Sequence, residues 1–164
     1  AALFHKMRTG EAKNLDISLW DSAIAALVNQ AHNALASGKD PQRMGSAHPN
    51  LVPYRAFEAS DGWFVIGVGS DSQWAQLCEH FSIDNRSEWQ SNAGRIAQRD
   101  AIDAMIGDIV ANNTRKDLED LLQGVPCAPV NTITEALNDK QSVARGLVSN
   151  YQGVQVLASP LRFY

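Results

Sequence analysis

The sequence predicts an α+β protein: a small antiparallel sheet, built around a β-hairpin, packed against several helices. Three observations predict it. Apolar residues recur at helical spacing in several separate segments. One strong hairpin signal, Ser60-Asp61-Gly62, divides two short strand-like runs. Strands and helices are mixed without alternating in βαβ units, which points away from a doubly wound parallel sheet.

In chain order, Ala1–Arg8 reads as the last turns of a helix already under way. Arg8-Thr9-Gly10 closes it, with glycine where a left-handed cap is wanted. Leu15, Ile17 and Leu19 alternate with Asn14, Asp16 and Ser18, which predicts a short half-buried strand. From Asp21 onward, Ile24, Leu27, Val28, Ala31 and Leu35 recur every three or four positions. That spacing predicts one amphipathic helix, capped by Asp21 or Ser22 and closed by Gly38. Residues 39–53 are rich in Gly, Pro, Ser and Asn and have no period; loops of this length are often functional.

Tyr54–Ala59 and Trp63–Val68 flank the Asp-Gly turn as hairpin strands, because that dipeptide supplies positive φ at low cost. Ser70 or Asp71 caps the next helix, whose stripe is Trp74, Leu77, Cys78 and Phe81. One longer helix is predicted over Ala93–Ala111, with Ile96, Ile102, Ile106, Ile109 and Val110 inward. Arg95 and Arg99 lie one turn apart on it, and Asn112-Asn113 ends it. Thr114 with Asp117, and Thr132 with Glu135, have capping-box spacing. The first pair opens a helix bearing Leu118, Leu121 and Leu122; the second opens one running through Ala136, Leu137 and Val143. Between them, Pro126 and Pro129 forbid a central antiparallel strand and favour an extended edge segment. The tail, Leu147–Tyr164, reads as two weak strands around Gln152-Gly153.

At 164 residues the chain can bury about two-thirds of the surface its unfolded form exposes. Its 45% hydrophobic and 20% charged composition is that of an ordinary soluble globular protein. The net charge of −4, with no basic run interleaved with aromatics, argues against a nucleic-acid partner or an anionic membrane surface. No apolar run approaches the ~20 residues needed to cross a bilayer. Cys78 and Cys127 lack ligand spacing and read as small buried hydrophobes of a reduced, cytoplasmic protein.

Most candidate sites have a plain structural reading. His5, His32, His48 and His80 are scattered over different elements, with no His-x-x-x-His pair, so no metal site is expected. Gly67-Val68-Gly69 lacks the third glycine of a phosphate loop, and Asp71 would repel an anion, so a tight strand-to-helix turn is expected. Cys127 sits in an apolar stretch without a cationic neighbour and makes a poor nucleophile. The carboxylate pairs Asp100/Asp103 and Glu119/Asp120 are expected on solvated helix faces. The loop differs: Gly45 and Pro49 bracket polar groups, Ser46 and His48, with Asn50 just beyond.

Several runs, in order, carry a family resemblance. They are Thr9-Gly10 with Leu15-Asp16-Ile17-Ser18-Leu19 and Asp21, then Gly45, His48-Pro49, Pro53-Tyr54, Phe57 and Asp61-Gly62. Val68-Gly69 with Asp71 and Gln73-Trp74 follows, then Asn92, Arg95 and Arg99, Gly124-Val125-Pro126 with Pro129-Val130, and Gln141 with Ala144-Arg145-Gly146. Together they resemble the family III CoA-transferases of the CaiB/BaiF type, a group that includes α-methylacyl-CoA racemases. Lys13-Asn14, Ser46 and Lys140 depart from the usual residues. The racemases' Glu-Pro after the hairpin is absent, Ser70-Asp71-Ser72 standing there, which leans towards transferase.

The resemblance implies a piece of a larger two-domain α/β enzyme that works as a homo-oligomer on an acyl-CoA and a carboxylic acid. Residues 1–38 would end the large domain as a strand plus connecting helix, and 39–164 would form the small α+β domain. In this family an aspartate carboxylate attacks the thioester, giving a mixed anhydride and then an aspartyl-CoA thioester, which divides one hard exchange into easier steps. That aspartate has no counterpart in this sequence, so no catalytic residue is carried over and the chain is expected to be inactive alone. The resemblance places Leu19, Gly45, Ser46, His48 and Asn50 at the substrate pocket, with coenzyme A thioester as substrate and no tightly bound cofactor. The alternatives are a stand-alone binding module derived from such an enzyme, and a racemase fragment. Exposure of Trp20, Leu27 and Leu35 is the feature that separates module from enzyme portion.

Overall fold

Residues 1–161 are described by a computed structural model, in which the chain divides into two compact units, Ala1–Met44 and the residues from Gly45 onward. In the first unit, α1 (Ala2–Thr9) ends where Gly10 turns to φ 76° and donates its N–H to the Lys6 carbonyl. Residues 11–18 have no regular structure. The strand expected there does not form: Leu15 and Ile17 are exposed, and the unit's described residues hold no strand to take its backbone groups. Instead the Ser18 hydroxyl accepts the Asp21 N–H at 3.2 Å and starts α2 (Leu19–Ala25), earlier than the expected caps.

The single helix expected to reach Gly38 is two. Val28 adopts φ 44°, which interrupts the ladder between α2 and α3 (Asn29–Ser37), and Gly38 closes α3 at φ 68°. Nothing in the local sequence explains why a β-branched residue takes that conformation. No described residue of this unit is buried.

The second unit is built on the expected hairpin. β1 (Tyr54–Ala59) pairs antiparallel with β2 (Gly62–Gly67), from Tyr54 opposite Gly67 to Ala59 opposite Gly62. β3 (Cys127–Pro129) joins the far side of β2, so both proline-bearing positions fall at an edge, as a missing N–H requires. Alternation sends Phe57, Ala59, Phe64 and Ile66 to the buried face. Ser70 caps α4 (Asp71–Phe81), which contributes Trp74, Leu77 and Cys78 to the core. The helix expected over Ala93–Ala111 is again two, α5 (Asn92–Ala97) and α6 (Arg99–Ala111), divided at Gln98. α6 lays Ile102, Ile106 and Val110, four residues apart, against β1, while α7 (Arg115–Leu121) packs on β2 and β3 through Leu118.

Two expectations on this unit fail for one reason, a buried charge. Ile96 is exposed because its neighbour Arg95 takes the inward side of α5. Asp103 is buried, not solvated, and receives the Arg55 Nη1 at 3.2 Å.

The caps also differ by one methylene. Thr132 and Glu135 form a complete capping box at α8 (Ile133–Asn138). At Thr114 the shorter Asp117 carboxylate instead accepts the threonine hydroxyl at 2.6 Å. α9 (Lys140–Ala144) and a separate two-stranded hairpin, β4 (Val148–Tyr151) with β5 (Val154–Leu157), complete the described chain, and every residue of both strands is exposed. The end of the expected tail, residues 162–164, lies outside the described residues.

Candidate functional site

The loop running into β1 is fixed from both of its sides. Gly45 sits at φ 60° with open space where a Cβ would point, so backbone conformation and not crowding calls for glycine there. Ser46 Oγ accepts the Ala56 N–H at 3.1 Å. His48 donates its N–H to the Tyr54 carbonyl at 2.8 Å, and its Nδ1 accepts the Asn50 N–H at 3.1 Å. That bond places the proton of a neutral ring on Nε2. The imidazole stacks on Tyr54, with centroids 5.2 Å apart and planes 21° from parallel.

Tyr54 in turn lies across Gly67, where a Cβ would come within 3.2 Å of the ring. The Gly69 N–H goes to Gln73 Oε1 at 2.8 Å. The Gly67-Val68-Gly69 turn therefore serves packing beneath the loop, and a neighbouring side chain already holds its last amide.

From the opposite side, the start of α5 and α6 grips residues 49–52. Asn92 donates Nδ2 to the Asn50 carbonyl at 2.8 Å, and its Oδ1 accepts the Val52 N–H at 3.3 Å. Arg99 Nη2 donates to the Pro49 carbonyl at 2.9 Å. Arg95 is buried and spends its whole fork: Nε on the Val52 carbonyl, Nη1 on the Trp89 carbonyl, and Nη2 on Asp71 Oδ1 at 2.8 Å. Its guanidinium also lies 5.5 Å from the Trp74 ring centre, a contact strengthened by burial. Residue-type reasoning passed over Asn92, Arg95 and Arg99, although their spacing was the available signal. Arg95 and Arg99, four positions apart on either side of Gln98, are both aimed at one stretch of loop.

Of the residues expected at a pocket, Gly45, Ser46, His48 and Asn50 share this loop, with His48 half-buried and the others exposed. Leu19 belongs to the first unit, where it opens α2 and is 87% exposed. A groove of about 580 Å³ beside α8, α9 and β5, with Leu137, Val143 and Leu157 on its walls, contains none of the five. Burial pushes the Cys78 thiol up to about 11 despite the opposing pull of Arg95, and burial likewise raises Cys127. Both stay protonated at neutral pH and are poor nucleophiles. Among the described residues, no three His, Cys, Asp or Glu side chains converge as a metal site would need. What the loop can do is orient: its backbone is held at His48, Pro49, Asn50 and Val52, and its polar side chains have defined neighbours.

Comparison with known proteins identifies the family. The sequence profile of CoA-transferase family III matches residues 1–163. The chain is 36% identical over 152 residues to the succinate–glutarate CoA-transferase of Agrobacterium fabrum, covering 90% of this chain and 38% of that protein. It is 31% identical over 170 residues to the succinyl-CoA:mesaconate CoA-transferase of Haloarcula hispanica, covering 99% and 43%. Among solved structures, a CaiB/BaiF family protein from Brucella suis superposes with a TM-score of 0.75 at 39% identity, covering 98% of this chain and 44% of that one. The chain thus spans less than half the length of these relatives. The match along nearly the whole sequence establishes that this chain belongs to CoA-transferase family III.

Proposed function

We propose that the chain is the small-domain portion of an enzyme that moves CoA between an acyl-CoA thioester and a carboxylic acid. Residues 1–38 end the larger domain in this reading, and 39–164 form the smaller one. The observation that carries it is the family match over residues 1–163. The attacking carboxylate is supplied by polypeptide outside these residues, so the chain alone exchanges no CoA. Leu19, Gly45, Ser46, His48 and Asn50 border the thioester, with the loop giving a fixed edge against which the reacting carbonyl is oriented.

Exposed apolar side chains support an enzyme portion over a stand-alone module. Trp20 is 75% exposed, Leu27 50% and Leu35 83%, where a domain adapted to live alone would carry polar groups. The reading brings with it a cytoplasmic, homo-oligomeric enzyme.

The test is to express the complete reading frame that carries these residues beside the 164-residue chain, and to follow exchange of CoA between a thioester and labelled dicarboxylic acids. Exchange is expected from the complete product and not from the chain. Turnover by the chain alone sinks the missing-carboxylate reading. A complete product without exchange on any acid tried sinks the transferase reading.

A further inference from the structure

We propose that Asn92 and Arg99 are positioning residues that hold the Gly45–Asn50 loop in its working register for CoA transfer. The inference rests on the functional reading above and adds the device that fixes the loop. Neither residue was placed at the pocket by the sequence, and neither belongs to the loop it holds.

Three features carry it. The bonds are concentrated: Asn92 and Arg99 together engage the carbonyls of Pro49 and Asn50 and the N–H of Val52, three backbone groups within four residues. They are matched in kind, since Asn92 uses its donor on a carbonyl and its acceptor on an amide, a pairing that tolerates only one register of the chain. They are also separable from the core. Arg95 is fully buried and its loss would disturb packing, whereas Asn92 and Arg99 are half-buried at the starts of α5 and α6. Releasing them frees the loop while leaving the apolar cluster around Trp74, Phe64 and Ile106 in place.

A loop held this way presents its side chains without an ordering cost at each turnover. A displacement of about an ångström at a reacting centre can cost roughly a hundredfold in rate, so partial loosening should appear in kcat more than in KM.

The test uses the product of the complete reading frame and its variants Asn92→Ala, Arg99→Gln and Arg99→Lys. Amide hydrogen exchange reads the loop, and steady-state CoA exchange reads the chemistry. Expected are roughly tenfold faster exchange at the Val52 amide in Asn92→Ala, and faster exchange at the His48 and Asn50 amides in Arg99→Gln. Both variants should lose about tenfold in kcat with KM within about twofold, and Arg99→Lys, which keeps a cationic donor, should recover most of the loss. If the loop amides loosen while kcat holds, the positioning role is wrong although the transferase reading stands. If the amides do not loosen, the clamp itself is wrong. An inactive parent protein overturns the functional reading and this inference with it. Should Asn92→Ala fail to fold, Arg99→Gln, which removes a single bond, decides.

Discussion

Arg95 and Asp71 form an ion pair whose halves sit in different surroundings: the guanidinium is 1% exposed and the carboxylate 61%, with Nη2 and Oδ1 2.8 Å apart. The asymmetry makes the two partners unequal in stability. Arg95→Ala strips the buried Val52 and Trp89 carbonyls of charge-assisted bonds, removes the cation from the Trp74 face and leaves a cavity. A loss of about 3–5 kcal/mol is expected. Asp71→Ala removes a solvent-screened partner and a favourable charge at the start of α4, for about 1 kcal/mol. Arg95→Lys should not recover the difference, since an ammonium cannot reproduce a planar fork aimed at three acceptors. Urea unfolding of the variants measures both losses; equal costs would show that the pair, and not the buried fork, holds this corner.

How much of this was legible in the sequence depends on whether the deciding interaction was local. The hairpin, the Ser70 and Thr132 caps and the edge position of Pro129 follow from short-range rules and are found where expected, except that the turn is Ser60-Asp61 and Gly62 already opens β2. Leu15, Ile17 and Leu19 alternate as a strand should, yet alternation supplies no partner for the backbone, and Ser18 three residues before Asp21 offered a competing helix start. Buried charges were the second blind spot. Arg95 and Asp103 look like surface residues because the groups that neutralise them, Asp71 and Arg55, lie 24 and 48 positions away. The loop itself was found through family likeness. Its clamp, Asn92 with Arg99, acts across more than 40 residues, so the spacing of Asn92, Arg95 and Arg99 marked them as a set without showing what they hold.

Acid should loosen the junction of α7, α8 and the hairpin turn. Arg115 bridges Asp61 at 3.6 Å and Glu135 at 2.9 Å, and it reaches the Val130 carbonyl. The Arg115 hydrogen bond, with the Thr132 N–H, lowers the Glu135 carboxyl to about 2. A depressed folded-state value means the stabilisation is complete above the ordinary carboxylate range and is lost as pH falls towards the folded value. Thermal midpoints of the parent chain and Glu135→Gln should therefore differ most at neutral pH. The gap should narrow between about pH 4.5 and 2 and nearly close below that. A gap that stays constant across this window would mean the carboxylate charge contributes nothing there.

Two helical glycines should respond in opposite directions to the same added methyl. In α5, a Cβ on Gly94 would overlap the Glu88 carbonyl oxygen, a backbone atom that cannot swing aside. Gly94→Ala must then displace the turn around Trp89, whose carbonyl is one of the acceptors of Arg95, and a cost of about 2–4 kcal/mol is expected. In the middle of α6, a Cβ on Gly107 would meet only Phe57 Cδ1, at 3.9 Å, an ordinary contact. Gly107→Ala gains helix propensity and reduces the freedom of the unfolded chain, for a stabilisation of about 0.5–1 kcal/mol. Calorimetric midpoints of the two variants against the parent should move apart in these directions. Matching shifts of one sign would mean that the tight approach of Gly94 to Glu88 does not govern that turn.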